Sequence, residues 1–139
     1  MRLIYLLSSL SLVAGCGNLE KVSRSDWLSV EEVISKASSL DEQVITVKGW
    51  ASIRNEDYGI WENKNDYEKR SSDKCISLLN FYSDRNRNKE LDRNFVLITG
   101  TFSKDVFHDK NGQDVIRLGA CSQFGIRFIE PDGLRKFSD

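Results

Sequence analysis

Apolar positions along this chain change period from one stretch to the next, and each change marks a candidate element. An apolar run over residues 3–13, softened only by serines, ends at Ala14 and Gly15 before Cys16. A polar stretch with no sustained period follows, from Gly17 to Trp27. Val30, Val33, Ile34 and Ala37 then recur at helical spacing, behind a Ser29-x-x-Glu32 pattern in which each side chain satisfies the other residue's backbone N–H at a helix start. This predicts a helix over 30–39 that stops before Asp41 and lays its apolar stripe on the rest of the fold.

From residue 44 the period is two. Ile45, Val47, Ala51 and Ile53 alternate with Thr46, Lys48, Ser52 and Arg54, which predicts a half-buried strand with a bulge or bend at Gly49. The run over 95–102 repeats the pattern, with Val96, Ile98 and Gly100 echoing Ile45, Val47 and Gly49. Further strands are predicted over 58–62, 75–82 and 125–129, with a polar connection over 63–74. Asn111-Gly112, two residues that accept positive φ, predict a hairpin turn between strands over 102–107 and 115–120. The sum is a mainly β chain: a small five- to six-stranded closed barrel or sandwich with one short N-terminal helix.

The ends add a location. Positive Arg2, the apolar run and the small residues stand in the order of a secretory signal. The run is roughly half the ~20 residues that a membrane-spanning helix needs, so no lasting span is expected there. Val13-Ala14-Gly15-Cys16 resembles the lipobox of bacterial lipoproteins, whose cysteine receives a diacylglycerol before the signal is cut off ahead of it. The resemblance implies a signal peptide over 1–15, a lipidated tether over 16–28 and one domain over 29–139. It also implies attachment to the membrane of the cell envelope through Cys16. Gly17 in place of aspartate implies the outer membrane, with the domain facing the periplasm. The alternative is an ordinary signal peptide with an incidental cysteine.

Loss of Arg2 with the leader takes the formal net charge from −1 to −2. A near-neutral surface of mixed sign gives no electrostatic reason to expect nucleic acid or anionic lipid as the main partner. Charged residues at 29% and hydrophobic residues at 40% exclude a disordered chain. Once Cys16 is assigned to the lipid, Cys75 and Cys121 remain. In an oxidising compartment such a pair predicts a disulfide; two buried free thiols are the alternative.

Val44-x-x-Val47-Lys-Gly49-Trp50, Gly59-Ile60-Trp61, Cys75-Ile76-Ser77-Leu78, Val96-x-Ile98-x-Gly100-x-Phe102 and Cys121-x-x-x-Gly125-Ile126 together resemble bacterial lipoproteins built on an OB-fold. The resemblance spans about residues 43–130. It implies an OB-like barrel whose third and fifth strands are neighbours, which would bring Cys75 close to Cys121.

Candidate chemistry is sparse. His108 is the single histidine and stands beside the predicted turn, with no local nucleophile signature around it. Asp109 to Asp114 lacks the glycine position and distal glutamate of a calcium loop, and two cysteines with one histidine lack zinc-ligand spacing. No cofactor is expected. Arg85, Arg87, Lys89 and Arg93 form a basic cluster, but Asp84, Glu90 and Asp92 interleave with it, so a solvated loop is favoured over a nucleic-acid groove. Trp50, Tyr58, Trp61 and Tyr67 are the candidate ligand face, on condition that Trp50 keeps the alternation and points outward. A bulge at Gly49 would instead return it to the core. The reading is a non-catalytic, lipid-anchored envelope module that binds a protein, peptide or glycan. Its competitors are an envelope enzyme assembled from dispersed residues such as His108 and Asp114, and a structural or stress-protective lipoprotein.

Overall fold

A computed structural model describes residues 26–54, 57–79, 89–108, 111–114, 119–121, 123–129 and 132–138. In chain order the elements are β1 (Leu28–Ser29), α1 (Val30–Ser35), α2 (Ala37–Leu40), β2 (Val44–Arg54), β3 (Asp57–Trp61), α3 (Lys64–Glu68), β4 (Cys75–Leu78), β5 (Phe95–Ser103), β6 (Gly125–Phe128) and β7 (Leu134–Lys136), with short 3₁₀ turns at Ser72–Lys74 and Lys89–Leu91. The capping pattern forms as the sequence predicts. Glu32 N donates to Ser29 Oγ at 3.1 Å, and Ser29 N donates to Glu32 Oε2 at 2.9 Å. The helix nevertheless breaks at Lys36, whose φ of −107° and ψ of 15° leave the helical region, so α1 and α2 are separate short pieces.

Five strands close into a barrel in the order β2-β3-β4-β6-β5 and back to β2. Every neighbouring pair is antiparallel except β4 and β6, which run parallel through Ser77 opposite Gly125 and Leu78 opposite Ile126. Numbered within the barrel, the third strand therefore lies beside the fifth, and the order fits a small OB-like barrel. β1 and β7 are additional strands. β1 runs parallel to β2 at Val47 and Lys48, so pairing with the barrel begins before residue 29. β7 pairs with β5, and neither short strand stood out in the hydrophobic pattern.

β2 is long because it serves both sides of the closure. Residues 44–50 pair with β5 and residues 50–54 pair with β3. Ile45 lies opposite Gly100, Val47 opposite Ile98 and Gly49 opposite Val96, so the echo in the sequence is the two faces of one antiparallel ladder. Register is continuous through Gly49, and the expected bulge is absent. What the glycine allows is close approach: a Cβ there would stand 2.9 Å from the Trp61 carbonyl oxygen and 3.0 Å from Val30 Cγ2. Val30 and Val33 of α1 thereby reach the barrel interior and join Val47, Ala51, Ile60, Ile76, Val96, Ile98, Phe102 and Ile126 in one core. At ~25 cal/mol per Å² of apolar area removed from water, this core is the main stabilising term.

Candidate functional site

With the ladder unbroken, the alternation of β2 decides where its side chains go. Ile45, Val47, Ala51 and Ile53 point inward, while Lys48 and Trp50 are half-buried on the outer face. Trp50 lies opposite Phe95 on one side and Trp61 on the other, so the three rings share that face. The Trp50 and Phe95 rings meet edge-on at 5.3 Å.

The connection over 63–74, read from sequence as polar and without a regular element, folds over this face. Asn63 caps α3 by accepting from Asp66 N at 3.0 Å, and its amide donates to Asp66 Oδ2 at 2.7 Å. α3 presents Tyr67, whose ring meets Trp61 edge-on at 5.0 Å. Trp61 is left with no exposed surface although it points away from the barrel interior. Beneath it, Gly59 supplies the necessary room: a Cβ there would lie 2.7 Å from Cys121 Sγ and 3.2 Å from the Trp61 ring. The sulfurs of Cys75 and Cys121 stand at disulfide distance with their Cα atoms 5.3 Å apart, on this same outer face. A second, smaller hydrophobic unit of indole, phenol and disulfide thus sits outside the barrel.

The opposite wall is the turn before β5. Ile53 N donates to Asp92 Oδ1 at 2.9 Å, Arg93 N to the Ala51 carbonyl at 2.9 Å, and Ala51 N to the Asn94 carbonyl at 2.9 Å. Between this wall and α3 lie two recesses that share Tyr67, Glu68 and Arg93. One, of about 420 Å³, adds Trp50 and Lys64. The other, of about 360 Å³, adds Ser52, Asp57, Arg70 and Asp92. Acid and base alternate around them: Lys64 faces Glu68 at 3.5 Å, Arg70 contacts Asp57, and Arg93 Nε stands 4.0 Å from Asp92. Neither the Trp50 nor the Trp61 indole N–H has an acceptor among the described residues, although both atoms are buried.

The aromatic residues singled out in the sequence therefore have three fates. Trp50 points outward and lines a recess, Trp61 points outward but is covered, and Tyr58 turns into the core at 8% exposure, opposite Ile53. Tyr58 and Trp61 are not surfaces that a ligand could touch. Lys64, Glu68 and Arg70 were missed, and the Asn63-x-x-Asp66 spacing was the available signal for the helix that carries two of them. Of the basic cluster, Arg93 enters the recess and Lys89 sits in a 3₁₀ turn, whereas Arg85 and Arg87 lie outside the described residues, as does Cys16.

No family model matches the chain, and no curated protein does.

His108 does meet Asp114, but on the surface. Its Nδ1 is 2.8 Å from Asp105 Oδ2 and its Nε2 is 3.3 Å from Asp114 Oδ1. Hydrogen bonding and charge from Asp105, with a smaller contribution from Asp114, raise its pKa; the His108 ring and the Phe107 N–H lower that of Asp105. A ring with a carboxylate at each nitrogen is best satisfied as imidazolium, a double donor, and in that form it has no lone pair with which to activate a nucleophile. The predicted turn is partly described: His108 bridges Asp114 and Gly112 has a φ of 75°, while residues 115–118 lie outside the described set. No group of three or more His, Cys, Asp or Glu able to hold a metal ion is present among the described residues.

Proposed function

We propose that this protein is a non-catalytic binding module, carried on the outer membrane by a lipid on Cys16, which presents the recess between α3 and the Asp92–Arg93 turn to a partner in the periplasm. One observation carries the reading: Trp50 lines a recess walled by side chains of both charges. Concave sites with an aromatic wall and a few convergent polar groups are where small ligands and anchoring side chains bind.

Disulfide geometry at Cys75 and Cys121 supports export, because such pairs persist in oxidising compartments. The lipobox supports the anchor. Pairing of both nitrogens of His108 with carboxylates supports a structural part for it over a catalytic one.

The test is site-directed photocrosslinking in intact cells, with a benzophenone side chain in place of Lys64 on the recess or of Val44, which is 60% exposed and lines neither recess. The reading expects a discrete adduct from position 64, none from position 44, and loss of the adduct on Trp50→Ala. Equal capture at both positions, or none at 64, contradicts it.

A further inference from the structure

We propose that the double recess is a site for a saccharide bearing a carboxylate, with a sugar ring on Trp50 and Tyr67 and the acid on Arg93; this rests on the binding reading above and names its ligand. The first ground is where two arginines stand. Three non-glycine residues among those described hold positive φ: Glu42 at 60°, Arg70 at 56° and Arg93 at 56°. Two of the three are arginines on the walls of this one cleft. Local hydrogen bonding sets both: Arg70 ends α3, where its N–H donates to the Tyr67 carbonyl and that of Ser71 to the Asp66 carbonyl, each at 3.0 Å, and Arg93 follows a 3₁₀ turn and donates its N–H to the Ala51 carbonyl at 2.9 Å. Both side chains are largely open to solvent, that of Arg93 at 72% and that of Arg70 at 56% exposure.

The second ground is the distribution of partners. Arg70 is committed to Asp57, which also accepts from Ala120 N at 3.3 Å, and Lys64 faces Glu68. Asp92 directs one oxygen to the Ile53 N–H and meets Arg93 only at 4.0 Å. Arg93 lines both recesses and is held to Asp92 only by that long contact through Nε, and the planar fork of a guanidinium fits a carboxylate. The remaining wall groups alternate donor and acceptor around two aromatic rings. That arrangement suits a polyhydroxylated ring with an apolar C–H face better than an extended polyanion, which would meet Asp57, Glu68 and Asp92 in turn. A peptide added as a strand is disfavoured as well, because among the described residues β3 is already paired on both sides, with β2 and with β4.

Calorimetry on the full chain tests the assignment with two matched pairs: α-1,4-digalacturonate against α-1,4-galactobiose, and N-acetylglucosaminyl-N-acetylmuramic acid against chitobiose. The acidic member of at least one pair is expected to bind about tenfold or more tightly than its neutral partner. Arg93→Ala is expected to abolish that preference. Arg93→Gly is expected to abolish it too while raising the melting temperature, because glycine relieves the positive φ; Glu42→Gly, the control, raises melting temperature and leaves binding unchanged. Equal binding of neutral and acidic members, or a preference that survives Arg93→Ala, overturns the proposal. If no sugar binds while position 64 still gives its discrete adduct, the ligand class falls and the binding reading stands. If both fail, both fall.

Discussion

Single atoms decide the geometry of the candidate site. Gly59 lies outward on β3 opposite Ser52 and Ser77, and the space a side chain would take holds Cys121 Sγ and the Trp61 ring. Gly59→Ala is expected to lower stability by ~1–3 kcal/mol, the usual cost of forcing atoms into a packed unit, measured by urea unfolding. Gly49→Ala meets backbone at 2.9 Å, where neither partner can swing aside. Of the bulge or bend that the sequence suggested at this glycine, the bulge is absent. A glycine within a strand pattern signals bulge or close approach alike, and only the position of Val30 distinguishes them. Trp50 followed the alternation correctly, whereas Tyr58 and Trp61 could not be placed from their own spacing. Tyr58 lies inward because it pairs with Ile53, and Trp61 is covered because α3 folds over it.

At the scale of elements, legibility tracked the strength of the local pattern. β2 and β5 alternate cleanly, and β5 reads half-buried and buried in strict succession from Phe95 to Ser103. β1 and β7, two and three residues long, are formed by pairing with β2 and β5 and carry too few positions for a period. α3 is a five-residue helix held by one cap, and tertiary contact through Tyr67 completes it. The turn bearing His108 has its own pH dependence. Since the pKa of His108 is raised, its clamp on Asp105 and Asp114 is fully present below the ordinary histidine value and lost as pH rises through the higher folded value. Asp105, lowered, contributes above the ordinary carboxylate value, and that contribution is lost as pH falls through the lowered one. Ring titration of His108 by NMR, together with amide exchange at Phe107 and His108, is expected to show order in the turn between those limits. His108→Ala is expected to flatten the profile.

For the whole molecule, two devices fasten the chain to the barrel. The Cys75–Cys121 pair closes a separation of 46 residues, and the loop-entropy account assigns it ~4 kcal/mol. Reduction is expected to lower the denaturant midpoint accordingly without opening the barrel ladders, as read by near- and far-ultraviolet circular dichroism. The second device is a clasp in which the Lys48 ammonium lies 3.8 Å from the Phe137 ring centroid, 4.9 Å from that of Trp27 and 5.3 Å from that of Phe95. This clasp holds Trp27 and Phe137 on the same outer face as Trp50. The proposed location rests on a lipid at Cys16. Intact-mass analysis of the native protein extracted from cells tests it most directly. The account predicts a chain that begins at Cys16 and carries the added mass of a diacylglycerol; a chain recovered from the cytosol with its amino terminus at Met1 and no lipid would contradict it.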